Sequence, residues 1–228
     1  MFDVNAFVLP GDIAGQVSTL QRELGAYGFR GALISPLNPR GEAESYKLNE
    51  ALLAALRRAP RGYYAAVAVG GEPPSLGERV RGIRVYPGAG VEGLRRGAEL
   101  AEREELALVI SVRSAWGRPA LHLGSLVAIL EEYRQVPVVL SGVSYHEAIW
   151  LVSEAPRYPN LYVEISLFHQ MSGLRLLVEA LGPRRLMLGT AYPLQNPCVA
   201  ALKLALSGLS PSILQEIGEK NAVRVLRV

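Results

Sequence analysis

Eight short β-rich runs alternate with helical patterns along the whole chain, and this alternation limits the fold more than any other feature. The runs lie at residues 2–8, 31–35, 63–70, 81–86, 106–112, 136–142, 161–167 and 185–189. Helical patterns fill 14–27, 48–58, 90–105, 121–134, 145–153 and 174–181. Crossovers of that length suit parallel neighbours, and eight such units predict an α/β fold of the compact (β/α)8 TIM-barrel type. The third crossover, 71–80, is short and proline-rich, so no full helix is expected there. From about residue 196 two closing helices are expected, the second starting with Ser210 as N-cap and Pro211 in the first turn. No linker or repeat interrupts the pattern, so residues 1–228 read as a single domain.

Half of the 228 residues are apolar, enough for a full core. No apolar run approaches the roughly 18 residues that a membrane span needs. Net charge is +3, with both signs interspersed, so no basic stripe marks a nucleic-acid partner. Cys198 is the only cysteine, which suits a reducing, cytoplasmic setting. Nucleic acid and membrane are not expected as partners; homo-oligomerisation stays open.

Barrel strands bury both faces, so side-chain parity sorts lumen from helix side. Ile83, Val85, Leu108 and Ile110 suit the helix side. That turns Arg84, Tyr86, Ser111 and Arg113 inward. The same reasoning sends Glu164 and Ser166 inward, with Asp3, Asn5 and Phe7 from the first strand. Two guanidinium forks facing one lumen would suit a carboxylate or phosphate. The competing reading is a closed network in which Arg84 and Arg113 pair with Glu164 and Asp3.

Several segments resemble the amidohydrolase superfamily, in the amidohydrolase-related branch of metal-dependent barrel hydrolases. They are Arg81-Gly-Ile-Arg-Val-Tyr-Pro87, Pro159-Asn-Leu-Tyr-Val-Glu-Ile-Ser166, Leu181-Gly-Pro-Arg-Arg-Leu-Met-Leu-Gly-Thr190 with Tyr192-Pro193, and Asn221-Ala-Val-Arg-Val-Leu226. The resemblance implies a divalent metal that polarises a carbonyl and activates water. Its His-x-His pair falls on Asn5 and Phe7, its two middle histidines on Ser111 and Gly142, and its aspartate on Ala191. None of these is an imidazole or a carboxylate, so no metal and no cofactor are expected. Lys47, Lys203 and Lys220 fall in helical patterns, away from strand ends, which argues against lysine chemistry in the lumen.

Other motifs carry less. His146 and His169 follow strand ends, but with Glu164 they lack a recognised ligand spacing, so ordinary loop hydrogen bonding is favoured. Gly88-Ala-Gly-Val-Glu-Gly93 fits G-x-G-x-x-G but lacks the acidic residue expected about 20 positions later. Ser144, His146 and Glu147 sit at a helix start without a G-x-S-x-G elbow, so Ser144 reads as an N-cap.

These readings lead to a metal-free relative of the amidohydrolases that binds a small anionic molecule at the C-terminal mouth. The binding candidates are Arg84, Tyr86, Arg113, Ser111, Asn5, His169 and Tyr192. One alternative is a metal-independent, lactonase-like hydrolase with Glu164 or His146 as general base. The other is a non-catalytic scaffold that closes its lumen with Phe7, Tyr86 and ion pairs.

Overall fold

The computed structural model describes residues 1–114, 120–170 and 172–228. Eight parallel strands form one sheet in sequential order. They are β1 (Phe2–Val8), β2 (Gly31–Pro36), β3 (Tyr63–Ala68), β4 (Val80–Val85), β5 (Ala107–Ser111), β6 (Val138–Ser141), β7 (Leu161–Glu164) and β8 (Leu186–Met187). The sheet rolls up until its ends meet: Val4 donates to the Leu188 carbonyl (3.0 Å) and Ala191 to that of Asn5 (2.8 Å). The result is a (β/α)8 TIM barrel.

The outer helices are α1 (Ile13–Ala26), α2 (Asn49–Leu56), α3 (Gly90–Arg103), α4 (Gly124–Glu132), α5 (Ala148–Ser153), α6 (Gly173–Leu181) and α7 (Cys198–Ala205). β3 runs to β4 without a helix, as the short proline-rich crossover predicts. The chain closes with α8 (Pro211–Gln215), a π-helical turn (Glu216–Lys220) and α9 (Asn221–Leu226). From residue 196 on there are thus the two helices expected: α7, and a continuous helix from Pro211 to Leu226 that carries a π-helical turn in its middle. Asn221 anchors the second helix: its Nδ2 donates to the carbonyls of Pro183 and Leu186, which locks α9 under the barrel. None of the helices is long and apolar enough to cross a membrane, among the described residues.

Strand parity holds in β4 and β5: Ile83, Val85, Leu108 and Ile110 pack against the helices. It fails in β1, where the pairing with β2 shifts register between Asp3 and Ala6. Val4 joins the lower lumen with Leu33, Val109, Val139 and Met187, and α9 plugs that floor with Val225 and Leu226. Asp3 instead accepts hydrogen bonds from Thr190, just past β8.

Candidate functional site

The lumen has an apolar floor, a polar middle and an apolar roof. Arg84 holds the middle. It is fully buried, and four of its N–H groups are committed. Nε donates to Ser35 Oγ (3.1 Å), and Nη1 to Ser111 Oγ and Ser141 Oγ (2.8 Å each). Nη2 donates to Asn5 Oδ1 (2.8 Å). Five strands thus meet on one guanidinium, a fork whose donor geometry suits several acceptors at once.

Asn5 separates that cation from the nearest buried acid. Its Nδ2 donates to Glu164 Oε2 (2.8 Å) and Ser166 Oγ (3.1 Å). Glu164 also accepts from the hydroxyl (3.0 Å) and the backbone N–H of Ser166. Gly189 leaves room for it, since a Cβ there would collide with Glu164 Oε1. Burial pushes Glu164 up to about 7, and Asp3 up to about 6. Each acid binds its proton more tightly folded than unfolded. Their contribution is full below the ordinary carboxylate range and is lost as pH rises to about 7. Urea unfolding should show stability falling by about 2–4 kcal/mol between roughly pH 5 and 7.5, with a shallower slope in Glu164→Gln. A flat profile would mean that these carboxyls are not desolvated.

Phe7, Leu37, Ala68, Tyr86, Leu167 and Ala191 form the roof. The Arg84 guanidinium lies 5.2 Å from the Phe7 ring centroid and 5.8 Å from that of Tyr86. Tyr86 is 3% exposed, donates its hydroxyl to the Pro36 carbonyl, and burial raises its pKa. A 3-10 strap, Glu42–Leu48, joins the roof through Tyr46, whose ring fills the space beside Gly70 and Gly71. Ser114 donates to Glu42 of the strap.

Arg113 stands apart, at the rim. Its two terminal nitrogens grip Glu147 bidentately (2.8 and 2.5 Å), and Nη1 also donates to Gly142 O (3.0 Å) and Ser144 Oγ (2.9 Å). Burial works to raise the pKa of Glu147, but Arg113 and the Ser144 N–H outweigh it and hold that pKa below its ordinary value. Ser144 and Glu147 form a capping box, as expected for an N-cap serine.

Several sequence expectations need correction. Among the described residues Arg84 and Arg113 share no hydrogen-bond partner, and neither makes an ion pair with Glu164 or Asp3; the acid on Arg113 is Glu147. On β6 the lumen-facing residue beside Ser111 is Ser141, with Oγ atoms 3.5 Å apart. Gly142 instead makes the turn, with φ +71° and no space for a Cβ against the Arg113 carbonyl. Lys203 is in a helix, α7, but its Nζ reaches the end of β7 and donates to Ile165 O and to Ser166 O (2.9 Å). It is not remote from a strand end.

The remaining candidates are scattered. His146 is exposed, with Nδ1 3.1 Å from Ser144 Oγ, and His169 Nε2 lies 3.1 Å from Gln195 Oε1. Tyr192 packs its ring on the outer core. Ser35 and Ser141 were missed. Ser141 had a signal, since it ends an apolar run as Ser111 does.

Comparison with known proteins agrees with this architecture. The chain belongs to the amidohydrolase family, whose profile matches residues 2–228. No curated protein matches it significantly. Among solved structures it is similar to 5-carboxyvanillate decarboxylase from Sphingomonas paucimobilis (TM-score 0.70, 16% identity, covering 91% of this chain and 82% of that one). It is also similar to 2,6-dihydroxybenzoate decarboxylase complexed with 2,6-dihydroxybenzoate (TM-score 0.69, 13% identity, 100% and 98% covered). A third is dihydroxybenzoic acid decarboxylase from Polaromonas sp. JS666, with bound manganese and the inhibitor 2-nitroresorcinol (TM-score 0.66, 10% identity, 99% and 96% covered). At these identities the likeness is one of fold.

A divalent metal does not fit the polar layer of this barrel. The inward groups at the tops of β2, β5 and β6 are serine hydroxyls, and a guanidinium already occupies the space between them. A second cation there would face Arg84 at close range with neutral, weak ligands. No group of three or more His, Cys, Asp or Glu side chains is placed to hold a metal ion, among the described residues.

Proposed function

We propose that this chain is a metal-free member of the amidohydrolase family that no longer performs hydrolysis or decarboxylation in its lumen, and that it acts by binding outside it. The Arg84 network carries this reading. A buried guanidinium held by Asn5, Ser35, Ser111 and Ser141 fills the polar layer, beneath a roof closed by Phe7 and Tyr86. A substrate would have to displace both. The relatives above that are named for carboxylated aromatics make such compounds the first ligand class to test.

The test is thermal unfolding of chelator-treated protein with Mn²⁺ or Zn²⁺, together with a decarboxylation assay on 2,6-dihydroxybenzoate. A metal at about 100 times its Kd would stabilise the fold by about 2.7 kcal/mol. The expected result is neither stabilisation nor turnover. Metal stabilisation that disappears in Ser111→Ala or Asn5→Ala would overturn the proposal, as would metal-dependent turnover.

The metal-independent hydrolase has one observation in its favour. Glu164, at about 7, matches a general base at neutral pH. It is fully buried, however, so that reading requires the Glu42–Leu48 strap and the roof to open. Ester or lactone turnover abolished by Glu164→Gln would establish it.

A further inference from the structure

Outside the lumen, α6 and α7 flank a cleft of about 460 Å³. Its walls include Phe168, His169, Arg175, Leu202, Lys203 and Leu206, and no aspartate or glutamate lines it among the described residues. Leu202 on α7 and Leu206 at its C-cap are 53% and 80% exposed. The cleft thus combines apolar surface with the Arg175 cation, the Lys203 amine and an imidazole, which complements an anion carried on an apolar body.

Lys203 distinguishes this cleft from an ordinary basic groove. Its amine is tethered to two carbonyls, Ile165 O and Ser166 O, at the turn after β7. A neutral amine held this way donates both N–H groups to the strand end, and its lone pair points away from them. Burial lowers the Lys203 pKa to about 8, although Glu164 pulls it upward, so neutral amine is available near physiological pH. Burial and the Lys203 charge also lower the pKa of His169, and Arg175 is exposed at the rim.

We propose that the α6–α7 cleft binds a small apolar carboxylate bearing an aldehyde or ketone, and that Lys203 condenses with that carbonyl to form a reversible imine. The nitrogen bonds to the carbonyl carbon. The carbonyl oxygen takes up the two amine protons and departs as one water, so no oxidant or reductant is needed. Arg175 holds the carboxylate, and Phe168, Leu202 and Leu206 cover the body of the ligand. Lys203 feels the charge of Glu164 and bonds the Ser166 carbonyl, but the imine requires no ligand in the lumen, so its failure would leave the reading of the Arg84 network untouched.

The probe is 4-formylbenzoate, trapped with cyanoborohydride on the full chain and mapped by peptide mass spectrometry. The competing amines are Lys47, Lys220 and the terminal amine of Met1. The expected result is labelling at Lys203 about tenfold faster than at any of them, corresponding to about 1.4 kcal/mol of selectivity. Arg175→Ala should lower that rate about tenfold for 4-formylbenzoate and leave benzaldehyde unchanged. Lys203→Arg, which keeps donors for the two carbonyls, should abolish the selective adduct. Even labelling across all amines would overturn the proposal. So would a Lys203 rate indifferent to the carboxylate or to Arg175.

Discussion

Arg84→Met should lower the free energy of unfolding by about 3–5 kcal/mol, the range for removing one member of a buried charged network. Four acceptors depend on Arg84: the hydroxyls of Ser35, Ser111 and Ser141 and the amide oxygen of Asn5. Each buried acceptor left without a donor costs about 1–3 kcal/mol, although a serine hydroxyl can turn to a neighbour. Ser111 and Ser141 are already 3.5 Å apart and can satisfy each other in part. Arg84→Lys keeps the charge but cannot reach oxygens from four other strands with one ammonium, so it should fall between wild type and methionine. If the cost lies in the orphaned hydroxyls, changing the three serines to alanine in the Arg84→Met background should recover much of the loss. Urea unfolding of the four proteins measures this. A loss under about 1 kcal/mol in Arg84→Met would mean that the guanidinium is not the hub of the lumen.

Glu147→Ala should cost about 3 kcal/mol, because it leaves Arg113 buried without its carboxylate. Arg113 and Glu147 have side chains only 7% and 8% exposed. Gly142 O and Ser144 Oγ would remain as neutral acceptors, and the Ser144 N–H would lose the Glu147 oxygen that caps it. Glu147→Gln retains one acceptor and should lose less. The unpaired guanidinium then becomes an anion site, so benzoate should raise the Tm of Glu147→Ala and leave wild type unchanged. An equal response in both would mean that Arg113 already reaches ligand in the native protein.

The two arginines show how far strand parity extends. Arg84 and Ser111 were legible as lumen residues because every alternate position beside them is apolar and both faces of a barrel strand are buried. Glu164 stood out for the same reason. The bland reading of the capping serine was also recoverable, since Ser144 and Glu147 stand three residues apart at a helix start. Asp3 was misplaced because one register shift in β1 reorients the side chains around it, and nothing local marks that shift. Lys203 was misjudged because helical periodicity says which face a residue occupies, not how far a four-carbon chain reaches.

By itself, then, the sequence determined the eightfold alternation, the missing helix between β3 and β4, and the inward turn of Arg84, Ser111 and Glu164. Those features arise from local periodicity and from the cost of burying a polar group on the wrong face. Tertiary structure alone decided the partners. Arg84 meets Ser35, Ser111, Ser141 and Asn5 across sequence separations of 27 to 79 residues, and Arg113 takes Glu147 in place of Glu164 or Asp3. Hydrogen bonds act over about 3 Å, so which groups pair depends on register, bulges and closure of the sheet, all of which are set only when the strands come together.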